Sequence, residues 1–304
     1  MSKKIVVIGS SNTDMVIKAK KFPLPGETLL GGTFFMNPGG KGANQAVAAA
    51  RLGGEVVFIA RVGTDIFGSQ ALQQFNSEGI NTQYIVEDPN NPSGVALITV
   101  DAKGENTIVV ASGANNALSI SDINNAEAAI NDADILLIQL EIPIEVVEQV
   151  TGIGKTKNLK VILNPAPAMP LNEKVFRGLY LITPNETEAE ILTGISITNN
   201  PGIEEAAKIL KAKGVQNVII TLGKEGAYVL TDTINSYVPA PKVVSIDSTA
   251  AGDVFSGALA VSISEGKELM DAVVFASKAA AISVTKLGAQ ASAPLREEVE
   301  KMVN

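Results

Sequence analysis

The sequence predicts an α/β layered domain built on a mostly parallel sheet, and three observations carry that reading. Short β-branched runs alternate with longer small-residue or amphipathic segments through most of the 304 residues, as strands joined by crossover helices do. Some runs, such as Ile135-Leu136-Leu137-Ile138, are continuously apolar, which suits a sheet buried on both faces. Two stretches, Thr13 to Asn37 and Gly94 to Ser112, break the rhythm with extended residues and turns but no helix.

Taken in order, strands are expected over Lys4–Ile8, Val56–Ala60, Ile135–Leu140, Lys160–Asn164, Leu179–Thr183 and Asn217–Leu222, with Lys242–Ile246 as a further one. Helices are expected over Ala43–Leu52, Gly68–Glu78, Ser121–Asn131, Glu186–Thr193, Ile203–Lys213, Asp253–Glu265 and Leu269–Thr285, and a charged surface helix over Arg296–Val303. In the second irregular stretch, Val95–Val100 and Thr107–Ala111 flank the turn residues Asp101-Ala102-Lys103-Gly104. The two stretches should therefore pair as a small antiparallel sheet. The pattern leaves open whether that sheet is a lid over a site or an edge of the main sheet. No linker divides the chain into independent domains.

Composition narrows the chemistry. With 24 basic and 32 acidic residues the net charge is −8, so no basic surface is available to track a nucleic-acid backbone or an anionic membrane. With no histidine, Ser/His/Asp and Cys/His nucleophile systems are excluded, and acid–base work falls to carboxylates, Lys or Tyr. With no cysteine there are no disulfides or thiolates, and a cytoplasmic location is the default expectation. The apolar run Ile5 to Ile8 is too short for a signal-peptide core, and no run approaches the roughly 18 apolar residues a membrane span needs.

The strongest local signal is Asp247-Ser248-Thr249-Ala250-Ala251-Gly252-Asp253, small residues leading into a small-residue helix. Backbone amides at 250 to 253 can converge there on an anion at the positive helix end, which makes a phosphate cradle. Asp253 in the first turn is either a helix starter or a general base beside that cradle, and the second combination is what phosphoryl transfer requires.

The second signal, Asn37-Pro38-Gly39-Gly40-Lys41-Gly42-Ala43-Asn44-Gln45, is a glycine-rich loop entering a helix, with Lys41 and Asn44 offering polar reach. It is not the dinucleotide fingerprint, because Gln45 stands where the third glycine belongs. Gly154-Lys155-Thr156 imitates the end of a P-loop, but Gln149 occupies the first glycine position, so it reads as a turn between helix and strand. Asn12 and Asp14 follow the first strand and Glu141 follows Gln139-Leu140, at the edge where open α/β sheets bind ligands. Each alone is equally well a turn cap. Glu188, in Pro184-Asn185-Glu186-Thr187-Glu188, can hold Mg²⁺ through water, and Thr221-Leu222-Gly223-Lys224-Glu225-Gly226 suits an approach to nucleotide phosphates or a plain turn.

Together these residues resemble the PfkB family of carbohydrate kinases nearly end to end, through Gly39-Gly40-Lys41-Gly42-Ala43-Asn44 and Asp247 to Asp253. Asn12 with Asp14, Gln139-Leu140-Glu141, Asn164-Pro165-Ala166-Pro167-Ala168 and Pro184 to Glu190 are similar to the branch that phosphorylates ribose in particular. The resemblance implies a three-layer α/β/α domain over 1–304, with a β lid formed by about 13–37 and 94–112. It implies transfer of the γ-phosphoryl of ATP to the 5-hydroxyl of D-ribose. A related sugar such as 2-deoxyribose is the alternative substrate, and a non-catalytic sugar-binding regulator the alternative class.

By the same resemblance Asp253 is the base, and the amides of Ala250, Ala251 and Gly252 form the anion hole. Asn12, Thr13, Asp14, Gly40, Lys41, Gly42, Ala43, Asn44 and Glu141 hold the sugar. Asn185, Thr221, Leu222, Gly223, Lys224, Glu225, Gly226 and Ser277 join Gly252 and Asp253 around ATP. Glu188 is the Mg²⁺-side acid, and a K⁺ site falls on Asp247, Thr249, Ser283, Lys286, Gly288 and Ser292. The lid is expected to clasp a second copy as a homodimer, with Leu29, Leu30, Phe34, Phe35 and Met36 supplying apolar surface.

Overall fold

The computed structural model describes residues 4–302. Its strands are β1 (Lys4–Ile8), β2 (Asn12–Lys18), β3 (Thr33–Gly39), β4 (Glu55–Gly63), β5 (Ile85–Asp88), β6 (Gly94–Val100), β7 (Asn106–Ala111), β8 (Ile135–Ile138), β9 (Lys160–Leu163), β10 (Leu181–Ile182), β11 (Asn217–Thr221), β12 (Ala227–Leu230) and β13 (Asn235–Val238). Among the described residues they form two sheets. The larger runs β13-β12-β11-β10-β9-β8-β1-β4-β5, and from β11 through β5 every pairing is parallel. The hairpin β12–β13 closes one edge antiparallel.

Alternation within β1 shows why both faces are covered. Ile5 and Val7 enter one core, with the helices Lys41–Arg51, Ala251–Ser264 and Leu269–Ser283, while Val6 and Ile8 enter the other, with Ile144–Lys157, Glu186–Thr193 and Asn200–Ala212. All four side chains are fully buried, so the sheet is the middle of three layers.

The smaller sheet has the order β3-β2-β6-β7 and is assembled from the two irregular stretches. Its outer pairs are antiparallel, and its central pair β2–β6 is parallel. Register places Ile17, Phe34, Leu97 and Val109 on one face, where they are exposed, and Asn12, Asp14 and Ala96 on the other. Phe35 pairs with Val16 and so lies opposite Phe34 and Met36, which limits the outward apolar surface that the composition suggested.

Several expected elements move. Segment 242–246 is not a strand: no neighbouring strand offers it a ladder, and only Ile246 is tied down, donating to the Val284 carbonyl. Gly154-Lys155-Thr156 is not a turn but lies in the helix Ile144–Lys157, where Gly154 packs on Val161. The expected helix over 121–131 is broken at Ala126 into Ile120–Asn125 and Glu127–Asn131. The last helix ends at Lys301, and Val303 lies outside the described residues. Strands expected to end at Leu140, Asn164, Thr183 and Leu222 stop one or two residues sooner, because those ends leave the ladder to build the site.

Candidate active site

The carboxyl ends of β1, β8, β9, β10 and β11 open on one edge of the main sheet, and the N-termini of the helices Lys41–Arg51 and Ala251–Ser264 meet there. Asp253 sits in the first turn of the second helix and is only 4% exposed. Its Oδ2 accepts from Asn44 Nδ2 at 2.9 Å and its Oδ1 from Gln45 Nε2 at 3.0 Å. Burial pushes its carboxyl pKa up, against the opposing pull of Lys41 and of these two amide donors.

The residue before that helix, Ala250, adopts a left-handed conformation, φ 61°, turning the chain so that the helix opens without a side-chain cap. The Ala251 amide donates to the Ser248 carbonyl, but among the described residues the amides of Ala250, Gly252 and Asp253 make no hydrogen bond outside their own helix. The unengaged donors at this positive helix end are therefore 250, 252 and 253, shifted from the expected run 250 to 252.

The glycine-rich loop is seated by Ser10. Its carbonyl accepts from the Ala43 amide and its Oγ from the Gly42 amide, so these two residues build the loop instead of reaching a ligand. Ser10 Oγ donates to Glu141 Oε2 at 2.6 Å, and that oxygen also takes the Lys41 amide at 3.0 Å. Gly40, at φ 88°, packs against the backbone of Ser11 and Asn12, where a Cβ would lie 2.6 Å from the Asn12 nitrogen.

The smaller sheet contributes Asn12 and Asp14 from one face of β2; Thr13 belongs to the opposite face and is separated from them by the strand alternation. Asn12 Oδ1 is held at 2.7 Å by Asn115 Nδ2, from a residue that no sequence pattern singles out. Asp14 is strongly perturbed: burial first, then Glu141 and Asp253, push its pKa up to about 6 against the pull of Lys41. Lys41 is the cation shared by four carboxylates. Burial opposes its charge, but Asp253, Glu141, Glu188 and Asp14 outweigh it and raise its pKa above the ordinary 10.5.

A cleft of about 620 Å³ adjoins Gly252. Asn185, Thr221, Gly223, Lys224, Glu225, Gly226 and Ser277 line it, as do Phe255, residues 240–243 and Ser245, which were not expected there from the sequence. Leu222 is buried instead, its amide tied to the Gly226 carbonyl. Glu188 caps its own helix through the Asn185 amide, and burial raises its pKa. Beyond the cradle, Asp247 accepts from the Thr249 and Gly288 amides, and these bonds outweigh its burial and hold it below the usual carboxylate range. Ser283 and Ser292 are buried, their hydroxyls donating to the carbonyls of Ala280 and Ala289. The Lys286 ammonium is turned to Glu298, leaving only its main-chain oxygen for that site.

A carboxylate buried beside an open anion cradle, with polar side chains on one side and a cleft of about 620 Å³ on the other, is the arrangement of a phosphotransferase acting on a small polyol. Residues 2–296 match the pfkB family carbohydrate kinase description, and the chain belongs to that family. It is 45% identical over 298 residues to a ribokinase of Haemophilus influenzae, covering 98% of this chain and 97% of that one. It is 38% identical over 301 residues to a deoxyribokinase of Salmonella typhimurium, covering 99% and 98%. The solved structure of an Arabidopsis thaliana ribokinase complexed with ribose and ATP superposes with a TM-score of 0.92 at 31% identity, covering 99% of this chain and 98% of that one.

Proposed function

We propose that this chain is a ribokinase: it transfers the γ-phosphoryl of ATP to the 5-hydroxyl of D-ribose, giving D-ribose 5-phosphate and ADP. The observation that carries the reading is Asp253, a carboxylate held by two amides of the glycine-rich helix at the mouth of a helix with unengaged backbone donors. Asp253 takes the alcohol proton as the oxygen attacks in line, and the amides of Ala250, Gly252 and Asp253 receive the charge of the migrating group. Asn12, Asp14, Lys41, Asn44 and Glu141 hold the sugar. Asn44 Oδ1 is buried without a partner, so a sugar hydroxyl there completes its hydrogen bonding.

The residues fit a divalent ion that arrives with the nucleotide: Glu188 is the nearby acid, and the described residues contain no cluster of three or more metal-binding side chains. Mg²⁺ bound with ATP offsets phosphate charge. The loops pinned by Asp247 present one carboxylate with hydroxyl and main-chain oxygens, a donor set suited to a monovalent cation, and we assign K⁺ to Asp247, Thr249, Ser283, Lys286, Gly288 and Ser292. Thr13–Asn37 and Gly94–Ser112 act as the lid of a single-domain enzyme, and their outward apolar face, Ile17, Phe34, Leu97 and Val109, joins two copies as a homodimer. Among the described residues no helix is long and apolar enough to cross a membrane, and the absence of cysteine suits work in the cytoplasm.

The test is a coupled assay of ADP release over pentoses and hexoses. The expected result is the highest kcat/KM for ribose, and loss of at least about a thousandfold in Asp253→Asn. Preference for 2-deoxyribose replaces the substrate; sugar binding without turnover replaces the class.

A further inference from the structure

Asp253 is held by more than its two neighbours. Gln45, which donates to Asp253 Oδ1, is itself fully buried, and its Oε1 accepts from Gln139 Nε2 at 2.6 Å. Gln139 is fully buried too, and its own Oε1 has no partner. That oxygen lies 2.1 Å from where a Cβ on Gly9 would stand, so only glycine at 9 admits the side chain. The two amides lie just after β8 and in the glycine-rich helix, with Gly9 after β1 making room for them, and only the fold brings the three together.

The direction of this chain is fixed by the charge at its end. An ionised carboxylate only accepts, so Gln45 must present its NH₂ to Asp253 and its carbonyl to Gln139, which must then donate. Leaving Gln139 Oε1 unpaired in a closed interior is the cost of that direction. Arg or Lys in the same place would neutralise the carboxylate and depress its basicity; two neutral amides orient it and leave it able to take a proton.

We propose that Gln45 and Gln139 are positioning residues that hold the Asp253 carboxylate in one orientation and set its basicity, Gln139 deciding which way round the Gln45 amide sits. The proposal rests on Asp253 being the base. The other groups facing Asp253 are Lys41 and Asn44 from the same helix, Glu141 after β8, Asp14 on β2 and Glu188. None of these is altered by the test.

The experiment measures kcat, KM for ribose and the acid limb of the kcat–pH profile in Gln45→Met, Gln139→Met, Gln139→Glu and Asp253→Asn, with circular dichroism and Tm as checks on folding. Gln45→Met removes the donor, and an ionised Gln139→Glu can only accept, which obliges the Gln45 amide to turn its carbonyl to Asp253. Both should lower kcat by about ten- to a hundredfold and move the acid limb up by about one pH unit, with KM within about twofold. Gln139→Met leaves the Gln45 donor in place, and its loss of about two- to fivefold should fall on kcat. If the first two variants do not fold, this isosteric one decides: unchanged kcat overturns the proposal. Folded Gln45→Met and Gln139→Glu with normal kcat and acid limb overturn it as well, as does a lowered Tm with neither kinetic change. Asp253→Asn separates the failures: if it is inactive while the glutamine variants are normal, only the relay is wrong; if it turns over normally, the base assignment itself is wrong.

Discussion

Adding one methyl group to Gly42 pits two known effects against each other. Gly42 lies inside a helix, where alanine is favoured over glycine by about 1 kcal/mol, so on propensity alone Gly42→Ala stabilises. The added Cβ, however, would stand 2.6 Å from both the carbonyl carbon of Gly9 and the amide nitrogen of Ser10. Both are backbone atoms at the end of a central strand and cannot rotate away. Reaching ordinary contact requires the helix to retreat by about 0.8 Å, an overpacking that costs about 1–3 kcal/mol and leaves a net destabilisation of roughly 0–2 kcal/mol. For a chain of this size that lowers Tm by only a few degrees. The same helix carries Asn44, Gln45 and the Lys41 amide, whose bonds to Asp253 and Glu141 are 2.9–3.0 Å and would stretch past hydrogen-bonding range. A displacement of that size in a catalytic array costs on the order of a hundredfold in rate. A coupled assay and a thermal melt on one preparation should show kcat/KM down about a hundredfold with Tm nearly unchanged. An enzyme within twofold of wild type would refute the view that Gly9 and Gly42 set the register of the base.

The perturbed acid on the smaller sheet gives a pH-dependent signature. Asp14 titrates at 3.8 unfolded and about 6 folded, so the folded state binds the extra proton between those values and stability falls as pH rises through that window. Asp14→Asn removes the fall: its Tm should match wild type near pH 4 and exceed it at pH 7.5 while sugar kcat/KM drops, and a pH-independent Tm difference counts against the assignment. Exchanging K⁺ for Na⁺ should slow the wild type and leave Asp247→Ala indifferent; equal rates in both salts for the wild type sink the cation site. Val109→Asp places a charge on the exposed face of the smaller sheet, where the wild-type residue is 69% exposed, and if that face joins two copies light scattering should show half the wild-type mass. A wild type that is already monomeric removes the dimer.

The parallel strands were legible because burial on both faces forces continuous apolar runs, and the two ligand loops were legible because small residues cluster where backbone must approach a ligand. Segment 242–246 misled for a physical reason: Val243, Val244 and Ile246 have strand-like side chains, but a strand exists only where a neighbour offers a ladder, and here they are exposed. The helix Ile144–Lys157 was missed in the opposite way. Val146, Val147 and Val150 with Gly152 and Gly154 weaken its intrinsic propensity, and packing of its buried face against the sheet overrides that. The partners of the site residues were invisible for a third reason. Gln45, Gln139 and Asn115 are ordinary polar residues until the fold brings them to the groups they hold, which lie 208, 94 and 103 positions away along the chain.

A chain of net charge −8 that takes a polyanionic nucleotide draws on Lys224 and Lys242 of the cleft wall, and beside Asp253 it needs a positive potential that does not neutralise the carboxylate. Lys41 is the cation among the acids of the sugar side, and it is already shared by Asp14, Glu141, Glu188 and Asp253. Next to Asp253 the further source is the backbone: a left-handed Ala250 starts a helix without a side-chain cap, and the donors left unengaged there are open to an anion. Such dipoles carry no net charge and need no counter-ion, so they can stand within reach of a buried, unneutralised carboxylate, where a second lysine or arginine would pair with Asp253 and weaken it as a base. At this helix mouth an anion-binding potential and a buried carboxylate thus stand side by side, and the small residues Ala250, Ala251 and Gly252 are what leave the mouth accessible.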